Sequence, residues 1–156
     1  MTNPRDLITV QRLIPAPADA IFDLLADPSR HPEIDGSGTV LGPSSGRARR
    51  LAIGDVFGMN MKMGLGYATR NEVVEFIDGR RIAWRTLAAA PLDKVFTGRI
   101  WRYELEPAEG GTLVRESWDI SREAPLSRPL VRRFMGSQAR VNMARTLERI
   151  EQRFTS

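Results

Sequence analysis

Two charged residues interrupt runs that are otherwise apolar on one face, and they are the first candidates for chemistry. Glu116 lies at period two between Val114 and Trp118, so a strand here would place a carboxylate among apolar side chains. Arg12 is a similar exception in an earlier alternating run. Because a buried charge needs a partner, we expect an Arg12–Glu116 pair at the floor or rim of a cavity, anchoring the polar head of a ligand. The alternative is that one or both faces are exposed to solvent.

Proton transfer would fall to three residues, which are the catalytic candidates: His31, Tyr103 and Glu116. His31 is the only histidine, so a metal site built from several imidazoles is excluded, and we expect no metal. Prolines at positions 28 and 32 predict a loop at a cavity mouth, where the imidazole would act as an acid or a base. An exposed or loop-stabilising histidine is the alternative interpretation.

A hydrophobic ligand needs adaptable apolar side chains around it, and one predicted strand carries a row of methionines at period two. Aromatic residues of a later strand add flat surfaces for stacking, and Tyr103 adds a hydroxyl group. The alternative is that these residues fill the core, which is what we expect of Trp84. The candidate ligand-binding residues are Met59, Met61, Met63, Trp101, Tyr103, Glu116, Phe134, Met135 and Gln138.

Composition narrows the function further. The chain has 156 residues, a length typical of one domain, and we expect a single ligand-binding domain over 1–156. It has no cysteine, which excludes disulfides, thiolate metal sites and cysteine nucleophiles. The net charge of +4 comes from arginines interspersed with acidic residues rather than clustered on one face. This pattern argues against nucleic acid as a partner.

Signals for membranes and cofactors are weak as well. No apolar run reaches the length of a membrane span and no leader-like segment is seen, so we expect a cytoplasmic protein without a membrane span. Gly64-Leu65-Gly66 begins like a dinucleotide-binding fingerprint, but strands rather than a helix are predicted around it. We therefore expect no cofactor, and the sequence is compatible with either a monomer or a homodimer.

Alternating apolar and polar residues predict the strands that position these candidates. A strand over Leu7–Ile14 precedes a short helix with apolar residues in 21–25 and a second helical turn over His31–Ile34. A meander of strands then covers 57–65, 67–77, 81–87, 97–105 and 112–120, and residues 36–52 read as weak strand and loop. Over 126–154 the apolar spacing becomes three or four, which predicts one long helix.

The order of these elements predicts the architecture. Strands joined by tight turns pair in an antiparallel sense, and the apolar face of such a sheet needs a cover that only the long helix can provide. The fold class is therefore α+β, with a curved antiparallel sheet of about six to seven strands wrapped around a long C-terminal helix. Two short helices follow the first strand.

Four parts of the chain carry a resemblance to a known family. They are 14–22 (IPAPADAIF), 26–33 (ADPSRHPE), 71–76 with 81–84 (NEVVEF and RIAW), and 101–105 with 111–114 (WRYEL and GTLV). In these parts the sequence resembles the START-like SRPBCC superfamily, which includes the polyketide cyclase/dehydrase and lipid transport group. One position departs from it, since relatives often carry tryptophan where this chain has Ile34. The resemblance implies a helix-grip fold with a lipophilic cavity between sheet and helix.

The expected function is binding or carriage of a small hydrophobic molecule, such as a polyketide, isoprenoid or fatty-acyl compound, in an internal cavity. The resembling segments mark turns and core faces rather than a catalytic signature, so a binder is preferred over an enzyme. Two alternatives stay open. One is a polyketide cyclase or dehydratase type of enzyme that uses acid and base residues of the cavity. The other is a protein-interaction module of the same fold, with a filled cavity and an apolar patch outside.

Overall fold

A computed structural model describes residues 4–38, 40–43, 50–63, 65–88 and 97–155, apart from the side chains of residues 43, 63, 65–68 and 97. Within these ranges, seven strands form one curled antiparallel sheet. They are β1 (Leu7–Ile14), β2 (Val40–Pro43), β3 (Val56–Met63), β4 (Leu65–Ile77), β5 (Arg81–Leu87), β6 (Thr97–Ala108) and β7 (Gly111–Asp119). Their order is β1-β7-β6-β5-β4-β3-β2, so the first strand pairs with the last.

The turn residues explain why the central strands follow one another as hairpins. Gly79, in the Asp78-Gly79 turn between β4 and β5, has a φ of 73°, which glycine adopts without steric cost. In the structure, β1 and β5 begin and end at the residues predicted from the sequence. The short β2 lies in the region predicted as weak strand and loop, and β6 continues three residues beyond its predicted end.

Three α-helices complete the described fold, α1 (Ala18–Leu25), α2 (His31–Ile34) and α3 (Arg128–Thr155), together with short 3-10 turns at Pro4–Asp6 and Pro28–Arg30. Helix α3 packs mainly on β1 and to a smaller extent on β7 and α2. Its buried face follows the predicted helical spacing through Val131, Ala139, Met143, Leu147 and Ile150. The predicted helix-grip architecture is therefore confirmed. No helix in the described ranges combines the length and the apolar composition needed to cross a bilayer.

The apolar core consists of two clusters. The first joins α1 to Ile82, Leu105, Val114 and Leu147, and the second contains Trp118, Ile120, Val131, Ala139 and Met143. On β7, Val114 belongs to the first cluster and Trp118 to the second, and Glu116 lies between them on the same face. The buried carboxyl group of Glu116 therefore lies at the boundary between the two clusters.

Helix α3 leaves part of the concave face of the sheet open. The register aligns Trp84 on β5 with Trp101 on β6 and with Trp118 on β7, so all three side chains share this face. Trp118, under α3, is fully buried, whereas Trp84 and Trp101 are only half-buried. Solvent therefore reaches the concave face beside α3. We call this space the crevice and define it by its half-buried side chains, Phe57, Met61, Trp84, Trp101 and Met135.

Candidate functional site

Glu116 and Tyr103 form a buried polar pair at the boundary of the two core clusters. Strands β6 and β7 place the two residues directly opposite each other. The Tyr103 hydroxyl donates a hydrogen bond to Glu116 Oε1 over 2.7 Å. Both side chains are almost fully buried, with exposed fractions of 5% for Tyr103 and 2% for Glu116. The second carboxyl oxygen, Glu116 Oε2, has no hydrogen-bond partner in the described part of the chain.

Burial controls the protonation of this pair. It raises the pKa of Glu116 well above the ordinary value because the charged carboxylate would be removed from water; the hydrogen bond from Tyr103 opposes this shift, and the negative charge of Asp35 adds to it. Burial also raises the pKa of the Tyr103 hydroxyl, with further contributions from Glu116 and Asp35. The site therefore favours a neutral phenol and a neutral carboxylic acid.

Asp35 brings a fixed negative charge toward this pair. It follows α2, and its carboxylate accepts hydrogen bonds from the backbone N–H of Ser37 and of Val40, each over 3.0 Å. The Ser37 hydroxyl also donates to Asp35 Oδ1, over 2.7 Å. Three donors from the following residues thus hold the carboxylate in place.

An aromatic cluster lies next to Tyr103. The indole of Trp84 lies 5.6 Å from the Tyr103 ring and stacks on the imidazole of His31, with 5.0 Å between ring centroids and 22° between planes. Phe57 meets both His31 and Trp84 edge-on, at 5.8 Å. Together with the Tyr103 ring, these rings form an aromatic wall of the crevice.

His31 is part of this wall and does not lie in an exposed loop. It begins α2, the residue is only 8% exposed, and Nε2 lies 2.8 Å from the backbone carbonyl oxygen of Leu25. Burial lowers the pKa of His31 more than the Leu25 carbonyl and the charges of Asp27 and Asp35 raise it. The imidazole is therefore neutral, with Nε2–H donating to Leu25. The expected loop at a cavity mouth is wrong at this position.

The predicted methionine row lies on the concave face. Met59 is 4% exposed, Met61 and Met135 are half-buried, and Lys62 between the methionines is exposed, as expected from strand alternation. The side chain of Met63 lies outside the part of the structure that is described. Trp84, predicted as core, packs against the first cluster but keeps one side toward the crevice.

The expected Arg12–Glu116 pair is wrong. The register of β1 on β7 places Val10, and not Arg12, opposite Glu116. Arg12 instead reaches α3, where its Nε donates to Glu151 Oε2 over 2.7 Å, and its side chain is 43% exposed. An arginine this exposed needs no buried partner, and Glu116 is satisfied on one oxygen by Tyr103.

Phe134 and Gln138 also lie elsewhere than expected. The inward face of α3 contains Met135 and Ala139, and the preceding residue of each is rotated by about 100° around the helix. Phe134 is consequently 70% exposed, and the exposed Gln138 donates to Asn142 Oδ1 over 2.8 Å. Neither side chain reaches the concave face, so their expected place in the cavity lining is wrong.

Two polar residues on the concave face, Asn71 and Arg99, were not predicted from the sequence. Thr86 donates to Asn71 Oδ1 over 2.7 Å, and Asn71 is 4% exposed. Arg99 lies 3.2 Å from the buried carboxylate of Glu123. The signal that could have found Asn71 and Arg99 is the one used for Glu116, because each lies at period two with an apolar neighbour. Among the described residues, no group of three or more His, Asp or Glu side chains is arranged to hold a metal ion.

Comparison with known families fits this geometry. The model of the family described as polyketide cyclase / dehydrase and lipid transport matches residues 6–155. The chain belongs to this family. Its SRPBCC fold, predicted from the four segments above, is thereby confirmed together with the curled sheet and long helix.

Relatives of this SRPBCC chain include longer proteins. It is 36% identical over 108 residues to the uncharacterized protein Rv0088 of Mycobacterium tuberculosis, covering 68% of this chain and 44% of that protein. The chain thus spans less than half the length of this curated relative. A solution structure of a protein from Arthrobacter aurescens is similar in fold, with a TM-score of 0.73 at 14% identity over 96% of this chain and 87% of that one. DynU16, from the dynemicin biosynthetic locus, has a TM-score of 0.67 at 15% identity over 98% of this chain and 48% of its own.

Proposed function

We propose that this SRPBCC protein binds a small hydrophobic molecule in the crevice, with the Glu116–Tyr103 pair at its inner end. The observation that carries the proposal is the half-burial of Phe57, Trp84 and Trp101 on the part of the concave face that α3 does not cover. Large apolar side chains that stay in contact with water inside a fold favour a ligand that replaces the water. The description of the family, which includes lipid transport, supports the same function.

Affinity in such a site comes mainly from apolar surface removed from water, about 25 cal/mol per Å². The aromatic wall and the thioethers of Met61 and Met135 provide that surface, and thioethers adapt to ligands of different shape. A single buried polar group then sets the orientation of the ligand. A polyketide, isoprenoid or fatty-acyl compound has the required apolar surface.

A second candidate function is acid catalysis of the cyclase or dehydratase type. It is favoured by the burial of Glu116, which is 2% exposed and has no described partner for Oε2, because a carboxyl group that burial keeps protonated can donate its proton to a carbonyl or a departing hydroxyl oxygen. Tyr103 would then position the acid through its hydrogen bond to Oε1. Turnover of the bound compound, abolished in Glu116→Gln, distinguishes this function from carriage.

Native mass spectrometry of the purified protein tests the proposal. We expect a stoichiometric adduct that denaturation releases for identification, or an adduct formed on incubation with farnesol, palmitic acid or 2-acetylnaphthalene. The Trp101→Ala variant should retain less of the same compound. A protein that remains free of adducts before and after all three incubations would contradict the proposed function.

A further inference from the structure

We propose that the ligand carries a carbonyl oxygen at its inner end and that Glu116 binds this oxygen as a hydrogen-bond donor. The inference rests on the proposed function and names the chemical class of the ligand, a conjugated or aryl ketone or a quinone. It follows from the one polar atom of the buried pair that the described part of the protein leaves unsatisfied.

The hydrogen bonds within the Glu116–Tyr103 pair indicate that Glu116 presents a hydrogen-bond donor on Oε2. Glu116 Oε1 already accepts the hydrogen bond from the Tyr103 hydroxyl, over 2.7 Å, so a proton on that oxygen would face another donor. The carboxyl proton therefore belongs on Oε2. Oε2 is buried and has no partner in the described ranges. An unsatisfied buried donor is costly, and a ligand acceptor would remove that cost.

Other ligand groups fit this position less well. An amine would need Glu116 to ionise, which burial between two apolar clusters opposes. A ligand carboxylate would enter the negative potential of Asp35, the same charge that favours the neutral form of Glu116. A neutral carbonyl avoids both costs, and its oxygen is a strong acceptor.

The surroundings favour a flat, conjugated body behind that carbonyl. Trp84 lies against Tyr103 with 5.6 Å between ring centroids, and Trp101 is opposite Trp84 in the register of β5 and β6. Both indoles are half-buried, so each keeps surface for a ligand. Flat rings that stack there would direct an attached carbonyl toward the buried pair.

Two probes of similar size and shape test the inference: 2-acetylnaphthalene, which has the carbonyl, and 2-ethylnaphthalene, which lacks it. In the wild-type protein we expect the ketone to bind about tenfold more tightly, the ratio that one additional hydrogen bond of ordinary strength gives. In Glu116→Gln the amide N–H replaces the acid as donor, so the preference for the ketone should remain. In Glu116→Leu nothing donates, and the preference should fall to about onefold.

The outcomes separate this inference from the proposed function. Equal affinity of the wild-type protein for the two probes would overturn the inference and leave hydrophobic binding intact. Tighter binding of 2-naphthylmethylamine than of the ketone would also overturn it, since it would require an ionised Glu116. Binding of none of these three probes would overturn the inference, and it would overturn the proposed function as well if farnesol and palmitic acid also failed to bind. The ratio of the wild-type affinities for 2-acetylnaphthalene and 2-ethylnaphthalene tests the inference even if Glu116→Leu does not fold.

Discussion

Glu116 occupies a position on β7 where an apolar residue would join the two core clusters. An acid at such a position destabilises the fold whenever it ionises, because the carboxylate must remain buried with only Tyr103 as its described hydrogen-bond donor. The residue therefore makes stability depend on pH, and its protonation can be measured without knowledge of the ligand.

The Glu116→Gln variant should remove that dependence. The pKa of Glu116 in the folded protein is raised above its ordinary value of 4.5, so its stabilising contribution is complete below that pH and is lost as pH rises through the folded pKa. The loss is at most about 1.4 kcal/mol per pH unit. As pH rises through this window, the free energy of unfolding of the variant should increase relative to that of the wild type, as measured by urea denaturation. A constant difference between the two proteins would contradict the raised pKa.

His31 should act in the opposite direction. Its folded pKa is lowered from 6.5, so its contribution is complete above that pH and is lost as pH falls toward the folded value. The His31→Gln variant, compared with the wild type by the same denaturation series, should lose less stability between neutral pH and about pH 5. Parallel curves for the two proteins would show that the fold does not lower the pKa of His31.

The sequence identifies Glu116 as an exception but not its partner. The period-two pattern suffices to place it on the apolar face, and it equally places Arg12 there. Which residues meet depends on strand register, and an offset of two residues moves Arg12 from Glu116 to Val114. Arg12 then pairs with Glu151, a residue 139 positions away whose approach no local pattern encodes.

At the scale of elements, the approach of α2 to α3 depends on a glycine. A Cβ atom built at Gly36 would lie 2.2 Å from the backbone oxygen of Asn142 and 2.6 Å from the backbone nitrogen of Thr146. The Gly36 N–H also donates to Thr146 Oγ1 over 3.0 Å. This contact fixes the loop that carries Asp35 against the helix.

Two glycine-to-alanine substitutions should therefore change stability in opposite directions. Gly36→Ala forces backbone apart, and we expect a loss of about 2 kcal/mol or more, in the range of strong packing defects. Gly136→Ala is the matched control within α3, because its Cβ would meet Ile8 at an ordinary 3.5 Å. It should gain up to about 1 kcal/mol from helix propensity. Thermal and urea unfolding measure both, and a harmless Gly36→Ala would contradict the close approach.

The angular position of each residue around α3 explains why Phe134 and Gln138 lie outside the predicted cavity lining. The spacing of apolar residues predicts α3 well, and Met135 lies on its inward side as expected. Phe134 and Leu130 are apolar too, yet they are 70% and 57% exposed. Composition alone could not separate these residues from the inward face, because α3 carries apolar side chains on both sides. The side of α3 that faces inward is set by its packing against β1 and β7.

At the scale of the whole molecule, the fold was predictable because its signals are local. Alternation predicts the strands, turn residues predict the hairpins, and a helical spacing predicts α3. The opening of the crevice is not a local property. It arises because α3 covers β1 and β7 and leaves the concave face of β5 and β6 partly open. No periodic pattern distinguishes Trp101 beside the helix from Trp118 beneath it.

The central claim is that a hydrophobic ligand enters this crevice, and a fluorescence titration with N-phenyl-1-naphthylamine, a neutral probe that emits in apolar sites, tests it most directly. Trp101→Ala and Phe134→Ala form a matched pair, since each removes one aromatic side chain, the first on the concave face and the second on the outside of α3. We expect Trp101→Ala to weaken binding about tenfold and Phe134→Ala to change it by less than about twofold. Binding that depends on Phe134 and not on Trp101, in variants with wild-type circular dichroism, would contradict the claim.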